Sequence, residues 1–254
     1  MSLRFYYFNS THWDREWYLP FEQFRRYLVS ATDGILSALE EGSVEKFTFD
    51  GQSVVLEDCL EICPEWEGRI AAAVSSGKLN AGPWFVMSDE FLASGEALSH
   101  NLLVGRDIVR RFGGEPWRIG YLCDTFGHCA QMPQILAGFG IRAAVVGRGL
   151  ADDAPPRFMW RAPDGTEIPA IRLEPGSHYA GFSTHVTGLR DDTFVDEKTF
   201  KERLRKLVDE KLELRQFDEC PITMGDIAII KQTIIEVLPS IHHSRINYDK
   251  KKKK

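Results

Sequence analysis

IGYLCDTFGHCAQMPQILAGF, residues 119–139, holds a strand pattern, a polar loop and a helix pattern in direct succession. Residues 119–123 form a compact apolar run, which is typical of a buried strand, whereas residues 131–139 place apolar side chains at helical spacing. Asp124 and His128 lie in the loop between them. The stretch therefore predicts one βα unit of a parallel α/β fold, with polar side chains at the carboxyl end of its strand.

The same alternation recurs along the rest of the chain. Further strands are predicted at residues 3–8, 46–49, 79–85, 143–146 and 221–224, and further helices at residues 21–41, 65–77, 95–112 and 198–214. A parallel barrel or wound sheet follows from this order. Residues 158–160 and 167–172 flank APDGT, whose Asp-Gly pair predicts a β-hairpin that departs from the βα rhythm.

The composition is that of one folded α/β domain. The 254 residues are 43% hydrophobic, which is enough for a single large core. A formal charge of −6 gives no basic field for a phosphate backbone, so an uncharged small molecule is a better partner than nucleic acid. The chain lacks a secretory signal pattern and any run near the roughly 18 apolar residues of a membrane span, which predicts a cytoplasmic protein.

The cysteines are predicted to be buried and reduced. Their odd number and the absence of paired CxxC spacing argue against a disulfide framework and against a structural zinc knuckle. The five are Cys59, Cys63, Cys123, Cys129 and Cys220.

His12 and Asp14 are two residues apart in STHWDREWY, residues 10–18, where the first predicted strand ends. In an extended segment residues i and i+2 point the same way, so this imidazole and this carboxylate can face one ion. Zinc accepts both kinds of donor. The alternative interpretation is a hydrogen-bonded structural pair without metal.

Acidic residues follow three other predicted strands. Asp124 follows residues 119–123, Asp89 and Glu90 follow residues 79–85, and Asp226 follows residues 221–224. Because loops at the carboxyl ends of parallel strands converge around one opening, we expect these acids on a common rim.

A structural role for the same loops is the alternative. Asp124 would then cap the following helix while His128 packs in the core. Ser94 and Glu96 are assigned to a helix start rather than to the site, because they match an N-cap and an acidic first turn.

Carboxylates combined with a cation and aromatic rings suit the hydrolysis of glycosidic bonds, where charge develops at the anomeric carbon while the leaving oxygen is protonated. Trp13, Trp17, Tyr18 and Phe126 are candidate stacking surfaces for a sugar ring. The alternative is that these rings belong to the core, where aromatic residues are often buried.

Three segments resemble, in their order and spacing, the amino-terminal catalytic domain of glycoside hydrolase family 38, the class II α-mannosidases and their bacterial relatives. They are THWDREWYLPF at residues 11–21, GPWFVMSDEFLASGEAL at 82–98 and GYLCDTFGHCAQMPQIL at 120–136. The resemblance spans residues 3 to 226. It implies a parallel β/α barrel of seven strands, a zinc cofactor and an α-mannoside substrate.

The resemblance also implies roles for individual residues. His12, Asp14 and Asp124 would be zinc ligands, and Asp124 would also be the nucleophile of a retaining reaction. Asp226, in TMGD, resembles the general acid/base of the family. The residues expected to contact the sugar are Trp17, Phe126 and Arg148.

The sequence departs from the family pattern in three places. Ser10 stands where relatives usually have a histidine, which affects the surroundings of the metal rather than its ligands. Residues 1–226 are assigned to the catalytic barrel. Residues 227–254 lack the expected polar and aromatic residues and end in a lysine run, so we assign them to a degraded or artefactual segment.

The third departure concerns the fourth zinc ligand of the family, a histidine in a later helical domain. His242 and His243 are followed by Ser244 instead of the expected aspartate, so we assign them to the surface. Three protein ligands with a water in the fourth position can still hold zinc, more weakly. We therefore expect a chain that stops before the downstream domains and is by itself a poor enzyme.

Two other functions stay open. A zinc amidohydrolase resembling polysaccharide deacetylases would use Asp124 to activate water rather than to attack sugar. A non-catalytic carbohydrate-binding fragment is the other alternative, suggested by Ser10 and by the ending of the chain.

Overall fold

The computed structural model of the protein describes residues 8–173, 175–176, 178–180, 185–186, 195–213 and 231–232. The chain divides into two compact units, one of residues 10–179 and one of residues 1–9 with 180–254. The predicted strand at 221–224, Cys220, Asp226 and the histidine pair at 242–243 lie outside the described residues.

Strands and helices alternate through most of the described chain, as the sequence predicts. The strands are β1 (Phe8–Ser10), β2 (Phe47–Thr48), β3 (Leu79–Asn80), β4 (Ile119–Leu122), β5 (Ala143–Val146), β6 (Arg157–Arg161), β7 (Glu167–Arg172) and β8 (Lys231–Gln232). The helices are α1 (Phe21–Glu41), α2 (Val54–Leu60), α3 (Glu67–Ser75), α4 (Gly95–Arg111), α5 (Met132–Gly138) and α6 (Glu197–Glu213), with 3-10 turns at Pro64–Trp66 and His178–Ala180.

The sheet that carries the quoted stretch is mostly parallel. Its order is β4-β5-β7-β6, with β4 parallel to β5, β5 parallel to β7, and β6 antiparallel to β7. The hairpin predicted around APDGT is therefore confirmed. Its second strand is nevertheless no excursion from the sheet, because β7 hydrogen-bonds to β5 and only β6 is an antiparallel addition at the edge.

Two further pairings are parallel. Within residues 10–179, β2 pairs with β3, and in the other unit Phe8 and Asn9 of β1 lie opposite Lys231 and Gln232 of β8. These pairings confirm an α/β fold with parallel sheets. A closed barrel of seven strands is not seen among the described residues, so barrel closure stays a prediction.

The predicted strand at 79–85 is shorter in the structure and ends as β3 at Asn80. Gly82 has a positive φ of 71° and Pro83 has no N–H to donate, so regular pairing cannot continue. The backbone leads instead to Trp84 and Phe85, whose carbonyl oxygens accept from Ser53. This turn brings the second family segment, residues 82–98, toward the loop after β2.

Local signals explain where several helices begin and end. Ser94 caps α4 by accepting from the backbone N–H of Ala97 at 3.1 Å, as predicted. α1 begins after Pro20 and ends at Glu41, followed by Gly42, whose φ of 76° suits a left-handed C-cap. The sequence reading missed α2, because VVLEDCL is short and starts with two β-branched residues that favour strands.

Two apolar clusters support the loops that carry the site. The first joins α1, α2 and α3 to β2 and β3, with Leu28, Leu36, Phe49 and Val55 buried in it. The second joins α4 and α5 to β4, β5 and β7, around Leu122, Leu136 and Val146. Burial of each such aliphatic side chain contributes about 1.5–3 kcal/mol, so the strand ends are held on a rigid base.

The unit of residues 1–9 and 180–254 has a small cluster of its own. Val186 and Phe200 are buried there against Val195, Leu204 and Leu207 of the α6 region. Across the residues that the structure describes, every helix is too short or too polar to cross a bilayer.

Candidate active site

His12 is the centre of a group of acidic side chains just after β1. Its Nδ1 makes a short contact with Oδ2 of Asp50, which follows β2. Its Nε2 lies 3.4 Å from Oδ1 of Asp14 and 3.4 Å from Oδ2 of Asp124, which follows β4. The structure therefore brings together the three residues that the sequence named as metal ligands.

The Nε2 atom of His12 is buried and makes no hydrogen bond. Since Nδ1 faces the Asp50 carboxylate, Nδ1 carries the proton in the neutral ring and Nε2 presents its lone pair toward Asp14 and Asp124. One nitrogen and two carboxylate oxygens, all within 4.8 Å of one another, form a donor set that zinc accepts. These residues fit the cofactor that the resemblance implies.

The electrostatics of this cluster favour a bound cation. Burial opposes a charge on the imidazole, yet the carboxylates of Asp50, Asp124 and Asp14 together raise the pKa of His12 well above its ordinary value. Three acids around one ring leave an excess of negative charge that a proton or a divalent ion relieves. A divalent ion at Nε2 would neutralise more of this negative charge than a proton does.

The two oxygens of Asp124 face different partners. Oδ2 faces His12, while Oδ1 accepts a short hydrogen bond from Nε of Arg148, which follows β5. Burial alone would raise the pKa of Asp124, but the interactions with His12 and Arg148 outweigh it and lower that pKa. A carboxylate that stays ionised while half-buried is suited to nucleophilic attack. It does not cap α5, which begins at Met132 without a side-chain cap.

Tyr179 lies beside His12 and was not predicted from the sequence. Its ring centroid lies 4.3 Å from that of His12, at an interplanar angle of 36°. Its hydroxyl interacts with the guanidinium of Arg148, and burial raises the pKa of Tyr179. Because Tyr179 lies in no strand and no recognised motif, no sequence signal identified it.

Several aromatic rings are exposed instead of belonging to the core. Trp17 is 75% exposed, Tyr18 69% and Phe126 67%, so the alternative of core aromatics fails for these three. Trp17 and Tyr18 meet edge to face at 5.0 Å, and Arg148 lies over the Phe126 ring. Trp13 is the exception, since it packs partly buried against the first apolar cluster.

Glu90, one of the acids expected at the rim, is buried against the loop after β4. Its Oε1 lies 2.7 Å from Nδ1 of His128, and its Oε2 accepts from the backbone N–H of Cys129 at 2.7 Å. Nε2 of His128 in turn lies 2.9 Å from the carbonyl oxygen of Arg148. The pair therefore fastens the loop after β4 to the loop after β5, as full hydrogen bonding of buried groups requires.

The remaining predicted residues have structural roles. Asp89 accepts from the N–H of Phe91 at 3.3 Å in a local turn, and Glu96 lies 3.1 Å from His100 on α4. Ser10 is buried with an unpaired hydroxyl.

Of the described cysteines, Cys59 and Cys123 are buried, but Cys63 and Cys129 are partly exposed, contrary to the prediction that all are buried.

The sequence analysis also did not identify Asp50, Gln52 and Asp58. All three are buried polar residues in or after the loop that follows β2. The rule that identified Asp124 could have found Asp50, which follows the predicted strand at 46–49 in the same way.

The fold and the site are those of an α/β protein with a candidate metal centre at the ends of its parallel strands. Residues 2–245 match the family model described as "Glycosyl hydrolases family 38 N-terminal domain". The chain belongs to this family, and the resemblance stated from three sequence segments is confirmed.

Known relatives are much longer than this chain. It is 42% identical over 179 residues to a "Putative mannosylglycerate hydrolase" of Halalkalibacterium halodurans, covering 65% of this chain and 20% of the relative. It is 29% identical over 174 residues to human "Alpha-mannosidase 2C1", covering 66% of this chain and 16% of the relative. The chain thus spans about a fifth of these proteins.

A solved structure of an α-mannosidase from Enterococcus faecalis has the same fold over most of the chain. The TM-score is 0.72 at 28% sequence identity, covering 89% of this chain and 24% of that structure.

Proposed function

We propose that the chain is part of a zinc-dependent glycosidase that hydrolyses α-mannosides with retention of configuration. The observation that carries the proposal is the buried Nε2 of His12, which makes no regular hydrogen bond and lies 3.4 Å from one carboxylate oxygen of Asp14 and 3.4 Å from one of Asp124. A histidine that served only packing would not have a buried ring nitrogen facing two carboxylates. Membership of the family and the mannosidase relatives support the choice of substrate.

His12, Asp14 and Asp124 would hold the zinc. When bound, zinc supplies a Lewis acid that fixes vicinal hydroxyls of the sugar and favours distortion of its ring. Its further position would be filled by a water or by a donor outside the described residues. The barrel of seven strands belongs to the same proposal, because a closed rim would bring the loops after β1, β4 and β5 around one opening.

Asp124 would attack the anomeric carbon, forming a carbon–oxygen bond while the bond to the leaving oxygen breaks. Arg148 at Oδ1 holds the carboxylate in orientation and keeps it ionised. Asp226 would give its proton to the leaving oxygen and then take one from the water that releases the sugar from Asp124. Two displacements at one carbon preserve its configuration, and we expect the two carboxyl groups to be about 5–5.5 Å apart in the productive site.

Trp17 and Phe126 would offer their exposed faces to the sugar ring, with Arg148 held near the nucleophile. The name of the bacterial relative makes mannosylglycerate a substrate to test beside simple mannosides. An uncharged or weakly acidic sugar fits a chain of net charge −6 better than nucleic acid does. A cytoplasmic location stays a prediction.

The test measures hydrolysis of an aryl α-mannoside and of mannosylglycerate by zinc-loaded protein, with and without a chelator, and follows the anomer first released by NMR. Release of α-mannose that the chelator abolishes and zinc restores is the expected result. Chelator-resistant release, or release of the β-anomer, would contradict the proposal. Deacetylation of a chitin oligomer without glycoside cleavage would favour the amidohydrolase alternative, and no turnover of any substrate would favour a non-catalytic fragment.

A further inference from the structure

A single segment after β2 contacts three of the four residues from His12 to Arg15. Asp50 contacts Nδ1 of His12, and Gln52 donates through Nε2 to the carbonyl oxygen of Trp13 at 2.9 Å. Asp58 accepts two hydrogen bonds from the guanidinium of Arg15, each 2.8 Å long. We call residues 50–58 the brace, since it holds the loop that carries His12 and Asp14 along its length.

The brace is itself fixed in the interior. Asp50, Gln52 and Asp58 are each no more than 3% exposed. The second polar group of Gln52, its Oε1, accepts from the backbone N–H of Met87 at 3.0 Å, which links the brace to the segment after β3. A support that is buried and hydrogen-bonded to two other segments can fix the position of a surface loop, whereas an exposed support would move with the loop.

The backbone at the start of the brace adopts a conformation that serves this contact. Asp50 has a φ of 53° and Gly51 a φ of 77°, both in the left-handed region. A non-glycine residue rarely adopts this region, and it persists where surrounding structure requires it. The turn places the Asp50 carboxylate next to Nδ1 of His12. The thiol of Cys123 also contacts both oxygens of this carboxylate at 3.4 Å.

We infer that Asp50 is a positioning residue of the metal centre, acting through His12, with Gln52 and Asp58 holding the loop on either side of Asp14. The Asp50 carboxylate accepts the Nδ1 proton, so that Nε2 points its lone pair at Asp14 and Asp124. This inference rests on the proposed function, because it assumes that these three residues bind zinc. Neither Asp50 nor the brace supplies a ligand in this arrangement.

The consequence is measurable as metal affinity. A hydrogen-bond partner behind a ligating histidine typically contributes about 10–100-fold to metal affinity. We therefore expect Asp50→Ala to lower the affinity for Zn²⁺ and Co²⁺ by that factor. Asp50→Asn, which can still accept the Nδ1 proton through its amide oxygen, should lose several-fold less affinity than Asp50→Ala.

The experiment titrates the protein and its variants with Zn²⁺ against a chromophoric chelator, and with Co²⁺ by visible absorption. The Co²⁺ spectrum reports ligand geometry, so a merely weakened fold would not alter its band positions, whereas a turned imidazole would. Glu57→Gln is the matched control, because Glu57 lies in the brace but pairs with Arg111 instead of the loop. If circular dichroism shows that Asp50→Ala does not fold, the metal affinity and the Co²⁺ spectrum are measured on Asp50→Asn instead.

The outcomes distinguish failure of the Asp50 inference from failure of the zinc proposal. Wild-type affinity and an unchanged Co²⁺ spectrum in both Asp50 variants would overturn the inference alone. A wild-type chain that binds neither ion would overturn the zinc proposal and the inference with it. Equal losses in Glu57→Gln and Asp50→Ala would show a general effect of the helix and would also overturn the role of Asp50.

Discussion

Arg148 donates through its Nε to Oδ1 of Asp124, although 24 residues separate them in the sequence. Each follows a strand of the same parallel pair, Asp124 after β4 and Arg148 after β5. Adjacent parallel strands end at the same edge, so their following residues meet without any sequence motif that joins them. This contact leaves the other oxygen of Asp124 free to face His12.

Arg148→Ala should lower kcat/KM for an aryl α-mannoside by roughly 10–100-fold, because a hydrogen bond to a charged group contributes about 1.5–3 kcal/mol. Arg148→Lys should recover little of this, since a lysine cannot reproduce the guanidinium geometry. Steady-state kinetics on both variants provide the measurement. Arg110→Gln, on the exposed face of α4, is the control and should keep wild-type kinetics. Full activity in Arg148→Ala would refute a role for the contact.

Asp124→Asn should abolish turnover and weaken zinc binding, because one group would serve as both ligand and nucleophile. Asp226→Asn should keep the metal content and slow mainly the substrates with poor leaving groups, which need protonation most. Metal analysis and kinetics over a series of aryl mannosides compare the two. Equal metal loss in both variants would contradict this division of roles.

Glu90→Gln should destabilise the fold by about 1–3 kcal/mol, because the buried Oε1 and Oε2 both have hydrogen-bond partners and a neutral amide cannot accept from both. Urea unfolding followed by tryptophan fluorescence measures the change. Glu96→Gln, exposed on α4, should stay within about 0.5 kcal/mol of wild type. A Glu90→Gln protein as stable as Glu96→Gln would show that the link between the two loops contributes nothing.

Trp17→Ala should raise KM more than it changes the free energy of unfolding. The side chain is 75% exposed, so its removal costs the core little, whereas a stacking platform for a sugar would lose its contact area. Kinetics and thermal unfolding on the same preparation separate the two effects. Trp17→Phe should recover part of the affinity. A lower melting temperature of Trp17→Ala with an unchanged KM would show that Trp17 contributes to packing and not to substrate binding.

Cys59 should resist alkylation by iodoacetamide at about pH 8 while Cys63 is labelled. Burial raises the pKa of Cys59 to about 12, so the reactive thiolate is scarce until the pH approaches that value, and the core also excludes the reagent. Burial raises the pKa of Cys63 as well, but its side chain is partly exposed. Peptide mass spectrometry identifies the labelled residue, with guanidinium-unfolded protein as control. Equal labelling of both in native protein would contradict the core placement of Cys59.

Local pattern predicted the regular elements closely. The predicted ranges 21–41 and 143–146 coincide with α1 and β5, and the Asp-Gly turn placed the β6–β7 hairpin. These features depend on periodicity, capping and turn chemistry within a few residues, which the sequence displays directly. The sequence analysis overestimated β3, which ends before Gly82 and Pro83, and missed α2, whose short sequence begins with two β-branched residues.

The sequence by itself determined the α/β class, the family and the three residues that gather around one possible ion, because motif order and strand ends are properties of the chain. Only the tertiary structure decided that Asp50 lies behind His12, that Glu90 is buried against His128, and that Tyr179 covers the imidazole. Such contacts join residues that are distant in sequence. Their energies come from burial and charge in the folded interior, which no local pattern encodes.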